Sequence, residues 1–142
     1  MIKESPDITI RAASKGDSDF IFATWLRAYR YGSDFICTIP EGVYFKHQHD
    51  AIEVILRRSN VLVATPKDDL TLIVGYMCHQ PEVIHFVYVK KPFRQMGIAT
   101  ELLRAAGLSS RATVTHWTKG AEPILAKYKT LTYNPYILNG DL

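Results

Sequence analysis

Residues 86 to 103 have the sequence Phe86-Val87-Tyr88-Val89-Lys90-Lys91-Pro92-Phe93-Arg94-Gln95-Met96-Gly97-Ile98-Ala99-Thr100-Glu101-Leu102-Leu103, in which an apolar strand runs through a short loop into a helix. Backbone N–H groups at a helix start have no intrahelical partners, and the helix dipole places partial positive charge there. Gly97 and Ala99 let a ligand approach this backbone closely, and Arg94 adds positive charge at the loop mouth. The stretch therefore predicts a site where main-chain donors hold a pyrophosphate.

Several function classes lack support in the sequence. No Gly-Lys-Ser/Thr closes a P-loop and no Gly-x-Gly-x-x-Gly follows a strand, so nucleotide hydrolysis and dinucleotide binding are not predicted. Cys37 and Cys78 form no Cys-x-x-Cys spacing, and the His47-x-His49-Asp50 segment has no third ligand placed by spacing, so we predict no metal site. The net charge of +3 comes from scattered basic residues, which suits an anionic ligand and does not require a nucleic acid.

Length and composition indicate one folded domain, residues 1–142. The chain has 142 residues, of which 47% are hydrophobic and 22% charged, values close to those of globular proteins. No apolar run is long enough to cross a bilayer, and the first residues lack the basic and then apolar build of a signal peptide. We therefore expect a cytoplasmic domain without a membrane partner.

The spacing of apolar residues predicts a mixed α+β chain with the element order βααβββαβαβ. Strands are expected at residues 8–11, 61–64, 70–78, 83–89, 114–117 and 136–138. Helices are expected at residues 18–31, at a segment that ends near Arg58, and at residues 98–106 and 123–128. Hairpins in the first half and crossover helices in the second half predict a sheet with both antiparallel and parallel pairs.

The loop motif resembles the acetyl-CoA signature of the GNAT superfamily of N-acetyltransferases. In that family an Arg/Gln-x-x-Gly-x-Gly/Ala loop follows the fourth strand, and here Arg94-x-x-Gly97-x-Ala99 follows Val89-x-x-Pro92. Residues 73–76 resemble the family's third strand, and residues 126–133 resemble its C-terminal segment. The resemblance extends over roughly residues 8–138 and implies a central mixed sheet of about six to seven strands flanked by four helices.

The same resemblance implies acetyl-CoA as the co-substrate. The pantetheine arm would pair with main-chain groups around Val87 and Val89, and the pyrophosphate would lie on the loop and helix start formed by Arg94, Gln95, Met96, Gly97, Ile98 and Ala99. Tyr128 matches the helix tyrosine that donates a proton to the departing thiolate in this family. Thr132 and Tyr133 stand where a Gly-Phe pair is usual, which affects the expected shape of the last hairpin.

The residue that removes a proton from the amine is left open by the sequence. Family members often carry an acidic residue where this chain has Val83. The candidates are His85, Glu82, His79 or a water relay. His85 has an ordinary pKa near 6.5, and strand alternation predicts that it shares a face with Val83, Val87 and Val89.

The resemblance implies transfer of an acetyl group to a primary amine by direct attack, with a small molecule or a peptide as the acceptor. A cluster of aromatic residues falls in the first helix and the connection after it, where the family has its acceptor pocket: Trp25, Tyr29, Tyr31, Phe35, Tyr44 and Phe45. Two alternatives stay open, an inactive module that senses acyl-CoA and an acyltransferase that acts on nucleic-acid bases. A homodimer is also left open.

Overall fold

The computed structural model describes residues 7–108, 111–126 and 130–137. The strands are β1 (Ile8–Ala12), β2 (Asn60–Pro66), β3 (Gly75–Gln80), β4 (Val83–Val89), β5 (Arg111–Val114) and β6 (Thr130–Tyr133). The helices are α1 (Ser18–Gly32), α2 (Glu41–Arg58), α3 (Ile98–Ala105) and α4 (Glu122–Leu125). This is the predicted order βααβββαβαβ, and the mixed α+β fold class is confirmed.

The six strands form one sheet in the order β1-β2-β3-β4-β5-β6. The first four strands are joined by antiparallel pairs, whereas β4 pairs with β5 and β5 pairs with β6 in parallel. Parallel neighbours need a crossover connection, and α3 and α4 supply the two crossovers. The parallel half of the sheet is therefore the part where a strand runs directly into a crossover helix.

Helices cover both faces of the sheet. On one face α1 and α2 bury the apolar residues Ile21, Trp25, Tyr29, Tyr44, Ile52 and Ile55 against the sheet residues Val63, Tyr76 and Phe86. On the other face α3 and α4 bury Ile98, Leu102, Leu103 and Leu125 against Ala64, Met77, Ile84 and Val87. Gly75 allows close packing on this second face, because a Cβ there would lie 2.9 Å from the Tyr88 carbonyl oxygen and 3.3 Å from Ile98 Cγ2.

Three predicted strands differ from the structure. Residues 70–74 are not strand, because Asp69 Oδ1 accepts the Thr71 N–H at 3.0 Å in a turn, and β3 begins only at Gly75. The fifth strand is residues 111–114 rather than 114–117. The last strand is residues 130–133 rather than 136–138, since Asn134 Oδ1 accepts the Tyr136 N–H at 3.0 Å in a turn with Pro135. Leu138 lies outside the described residues.

Candidate functional site

A gap opens between β4 and β5 immediately after their first residues. The two strands pair only at Val83 opposite Thr113 and Ile84 opposite Val114. The Thr115 N–H donates to the Ile84 carbonyl at 3.2 Å, and within the described residues the pairing of these strands ends there. The second half of β4 consequently has no strand neighbour on this side in the described part of the chain.

A β-bulge lies at the point where the strands separate. Phe86 pairs with Cys78 of β3, but Ile84 pairs with His79, so His85 is the extra residue. The bulge changes the alternation of side chains along β4. Ile84, Val87 and Val89 share the core below α3, and Phe86 lies in the core below α1. The sequence predicts that His85 shares a face with Val87 and Val89. Because of the bulge, simple alternation does not place His85 on that face.

The main-chain groups of Val87 and Val89 point into the gap. The Lys90 N–H donates at 2.8 Å to the carbonyl of Val74, the residue before β3, and Tyr88 lies opposite Tyr76 in the same register. Residues in an antiparallel strand alternate between facing one neighbour and facing the other. The N–H and C=O groups of Val87 and Val89 accordingly face away from β3. Arg94 Nε donates to the Val89 carbonyl at 3.0 Å, so a side chain of the loop holds one of these acceptors.

The gap between β4 and β5 forms a groove with a volume of about 690 Å³. One wall is the second half of β4 with the start of α3, and the other is residues 118–121 with α4. The end of α1 closes the groove through Ala28, Tyr31 and Gly32. Gly32 allows this closure, because a Cβ there would lie 3.0 Å from the Thr118 Cβ, and the Gly32 carbonyl accepts the Lys119 N–H at 2.9 Å.

The glycine of the loop motif has a left-handed backbone. Gly97 has φ of +81° and precedes the first residue of α3, and Gln95 also has a positive φ of 64°. A Cβ at Gly97 would meet no protein atom within 4 Å. The open space in front of Gly97 is part of the groove, so the chain leaves its main chain accessible at the point where the helix dipole is positive.

The structure brings together seven of the eight residues predicted to bind the cofactor. The groove is lined by Val87, Val89, Arg94, Gln95, Gly97, Ile98 and Ala99. Met96 does not line the groove, since its side chain is half-buried against the core below α3. Tyr128 lies outside the described residues.

The proton-acceptor candidates lie away from the groove lining. Glu82 is exposed in the turn between β3 and β4 and pairs with Arg111 at 3.6 Å. His79 lies in a second depression near the start of β2. Burial lowers the pKa of His79 and, with the charge of His79 as a smaller cause, lowers the pKa of His85 to about 4. His85 is fully buried, and both of its ring nitrogens lie within hydrogen-bond distance of a partner.

His85 belongs to a chain of five polar side chains, which we call the polar chain. Gln48 Nε2 lies 2.8 Å from His116 Nε2, and His116 Nδ1 lies 2.9 Å from Thr115 Oγ1. Thr115 Oγ1 lies 2.9 Å from His85 Nδ1, and His85 Nε2 lies 2.7 Å from Gln80 Oε1. The polar chain links α2 to the end of β3 through the point where β4 and β5 separate.

Sequence reasoning missed the groove wall at residues 118–121 and three members of the polar chain, Gln48, Thr115 and His116. No local pattern marks these residues, because their neighbours are distant in sequence. Of the predicted acceptor aromatics, Tyr31 lines the groove and is exposed, whereas Trp25, Tyr29 and Tyr44 are buried in the core. Phe35 is 84% exposed.

Two solved structures are similar to this chain over most of its length. One is a GCN5-related N-acetyltransferase of Rhodopseudomonas palustris, with 18% identity and a TM-score of 0.57. The match covers 89% of this chain and 82% of that one. The chain also matches a candidate acetyl transferase of Pyrococcus furiosus over 90% of this chain and 82% of that one, with 17% identity and a TM-score of 0.59. The chain therefore has the GNAT fold, and the resemblance expected from the sequence is confirmed at the level of fold.

A third solved structure is the ligand-free form of YjaB from Escherichia coli, with 21% identity and a TM-score of 0.52. The match covers 70% of this chain and 63% of YjaB, which is less than two thirds of that protein's length. No protein-family model and no curated protein matches the chain.

None of the described helices has the length and apolar character needed to span a bilayer. The described residues also contain no group of three or more His, Cys, Asp or Glu side chains that could hold a metal ion. Both cysteines are free thiols, with Cys78 buried and Cys37 exposed.

Proposed function

We propose that the groove binds acetyl-CoA and that the protein transfers the acetyl group to a primary amine. The observation that carries this proposal is the coincidence of two features. β4 separates from β5 where the main-chain groups of Val87 and Val89 face the gap, and the same groove ends on the left-handed Gly97 at the start of α3. An amide-bearing arm can pair with the first feature, while a pyrophosphate can accept hydrogen bonds from the second.

Acyl transfer needs a donor for the oxygen that becomes negative in the tetrahedral intermediate. In this proposal the thioester lies at the inner end of the groove beside Val87, and the Val87 N–H donates to that oxygen. A preorganised donor of this kind contributes about 3 kcal/mol to transition-state stabilisation in other enzymes. Val87 is buried at the edge of the groove, where little water competes for the hydrogen bond.

The amine must lose a proton before or during its attack, and we propose that water carries this proton to solvent. The groove lining in the described part of the chain contains no carboxylate and no imidazole. The lining residue Tyr31 is exposed, so water can reach the groove beside it. His85, Glu82 and His79 are each placed elsewhere, so direct proton acceptance by any of them would need the site to rearrange.

We expect Tyr128→Phe to lower turnover by roughly tenfold to a thousandfold, because it removes the hydroxyl that would protonate the leaving thiolate. The substitution keeps the ring, so the protein should remain folded and should bind CoA normally. Turnover with the best amine acceptor is the measurement. Tyr136→Phe is the matched control, since Tyr136 is 90% exposed and its hydroxyl has no proposed role. Turnover of Tyr128→Phe equal to that of the control would exclude this role.

Two measurements test the proposal as a whole. Calorimetry should detect CoA binding to the purified chain, and a thiol-release assay with a panel of primary amines should detect turnover of acetyl-CoA. Binding without turnover for any amine would favour the acyl-CoA sensor. An absence of CoA binding would exclude both the acetyltransferase and the acyl-CoA sensor. Retention of single-stranded DNA that weakens with salt would instead support a nucleic-acid acceptor.

A further inference from the structure

We propose that the polar chain sets the geometry of the gap between β4 and β5, and that Gln48 and His116 are positioning residues for acyl transfer. This inference rests on the proposed function for its activity readout, and it has a second readout that needs no ligand. The polar chain is defined by Gln48, His116, Thr115, His85 and Gln80.

The first argument is location. Among the described residues, the last main-chain hydrogen bond between these segments runs from the Thr115 N–H, one residue beyond β5, to the Ile84 carbonyl of β4. The residue that follows each of these two is a histidine of the polar chain. Thr115 Oγ1 joins the two imidazoles across the strands at the point where the main-chain pairing ends. The side chains thus continue the connection between β4 and β5 for one more residue, and the groove begins at Phe86.

The second argument is the bulge. A bulged residue is unpaired with the neighbouring strand, and its main chain is less constrained than that of its neighbours. His85 is this residue, and its side chain is fixed at both nitrogens, by Thr115 on one side and Gln80 on the other. Fixing His85 fixes the direction of the chain entering Val87, whose N–H is the proposed donor to the oxyanion.

The third argument is that the three middle members of the polar chain, His85, Thr115 and His116, are buried at a desolvation cost where apolar residues would pack. Gln48 lies on the inward side of α2, between the buried residues Tyr44 and Ile52. His116 is 5% exposed and meets the ring edges or faces of Trp25 and Tyr29 at centroid distances of 5.2 and 4.6 Å. Buried polar groups are tolerated when each has a hydrogen-bond partner, and such networks fix one arrangement of a core.

The distances permit a complete assignment of donors with both histidines neutral. His85 Nε2–H donates to Gln80 Oε1, so Thr115 Oγ1–H donates to His85 Nδ1. Thr115 then accepts from His116 Nδ1–H, and His116 Nε2 accepts from the Gln48 amide. With the Gln48 and Gln80 amides in this orientation each ring nitrogen has one role, and the Thr115 hydroxyl donates to His85 Nδ1 at 2.9 Å rather than to the more distant His85 carbonyl at 3.4 Å. A change at Gln48 should therefore alter the tautomer of His85, which lies three hydrogen bonds away.

Gln48→Glu tests this coupling without any ligand. A carboxylate can only accept, so a neutral His116 has to present Nε2–H to it; at a pH where His116 stays neutral each hydrogen bond along the chain then reverses, and the Gln80 amide turns its NH2 group to His85 Nε2. Nitrogen-15 spectra of the ring nitrogens should show His116 changing from the Nδ1–H to the Nε2–H form and His85 changing from the Nε2–H to the Nδ1–H form. His47→Glu, one residue away on the exposed side of α2, should leave both tautomers unchanged. A change at His116 alone would overturn the proposal.

Gln48→Leu tests the positioning role. It removes the donor to His116, and we expect kcat to fall by roughly tenfold to a hundredfold, as for a displacement near the reacting atoms, with little change in CoA affinity. The amide resonances of Phe86 and Val87 should shift in the free protein. Tyr76→Phe is the control for lost stability, because the Tyr76 hydroxyl makes buried hydrogen bonds to Thr24 at 2.7 Å and to the Ile21 carbonyl at 3.2 Å outside the polar chain.

The two outcomes that would overturn the proposal are distinct from failure of the proposed function. Equal kcat and equal Val87 amide shifts in Gln48→Leu and wild type would remove the positioning role. Equal effects of Gln48→Leu and Tyr76→Phe on kcat and on the Val87 shift would assign both to general loss of stability. If wild type shows no turnover with any amine, the proposed function fails, whereas the tautomer and amide shifts still decide the geometry of the gap.

Discussion

Gly97→Glu is expected to abolish CoA binding while the protein stays folded. Gly97 has φ of +81°, a conformation that costs an L residue about 1 to 2 kcal/mol, and the new side chain meets no protein atom near its Cβ. Gly97 lines the groove, so the added side chain would lie in or beside the space proposed for the coenzyme. A carboxylate at this position would lie against the phosphates and would compete with them for the N–H groups at the start of α3. Titration calorimetry with CoA measures the loss.

The chain contains a close control at the other end of the same helix. Gly107 has φ of +72°, and a Cβ there would also meet no atom within 4 Å. Gly107→Glu therefore carries the same backbone strain and the same charge change. Its charge lies at the negative end of α3, so its cost in stability should be at least as large as that of Gly97→Glu. Loss of CoA affinity only in Gly97→Glu would support the placement, and equal affinities in folded samples of both variants would refute it.

Local signals predicted the part of the site that lies within one segment. The strand, loop and helix of residues 86–103 needed only periodicity, a glycine and the properties of a helix start. The predicted helix at 18–31 corresponds closely to α1 (Ser18–Gly32) for the same reason. These elements are specified by residues three or four positions apart, so the local sequence pattern is sufficient to predict them.

The environment of His85 and the polar chain depend on pairing between segments that are distant in sequence, so local sequence patterns did not predict them. The environment of His85 depends on the register between β3 and β4, which places the bulge at that residue and reverses the expected alternation. The bond between Gln48 and His116 joins positions 68 residues apart. The sequence predicts a strand at residues 114–117, but Thr115 and His116 follow the end of β5 and their side chains belong to the polar chain.

The same buried histidines predict that the protein loses stability in mild acid. Burial lowers the pKa of His85 to about 4 and the pKa of His116 to about 3, and an unfolded histidine has a pKa near 6.5. Above pH 6.5 both residues are neutral in the folded and unfolded states, and they add no pH dependence. As the pH falls through 6.5 the two unfolded histidines become protonated while the folded ones stay neutral, so the unfolded chain comes to bind up to two more protons than the folded chain. The free energy of unfolding then falls by about 1 kcal/mol per histidine for each pH unit, until the folded chain is protonated near pH 4 to 3.

Denaturant unfolding at pH 7.5, 6 and 5 tests this expectation. In this pH range Asp17, the main other source of acid sensitivity, does not change its protonation in either the folded or the unfolded state. Asp17 also sensitises the protein to acid, because its hydrogen bond from Arg11 lowers its pKa to about 2, but an unfolded Asp binds protons only near and below pH 4. His79, whose pKa is lowered by burial, adds to the same slope. His116→Gln should reduce the slope between pH 6.5 and 5 by about 1 kcal/mol per pH unit. A second measurement on the wild-type protein does not depend on that variant. The ring resonances of His85 and His116 should keep the neutral form from pH 7.5 to 5, and their protonation above pH 5 would contradict the prediction.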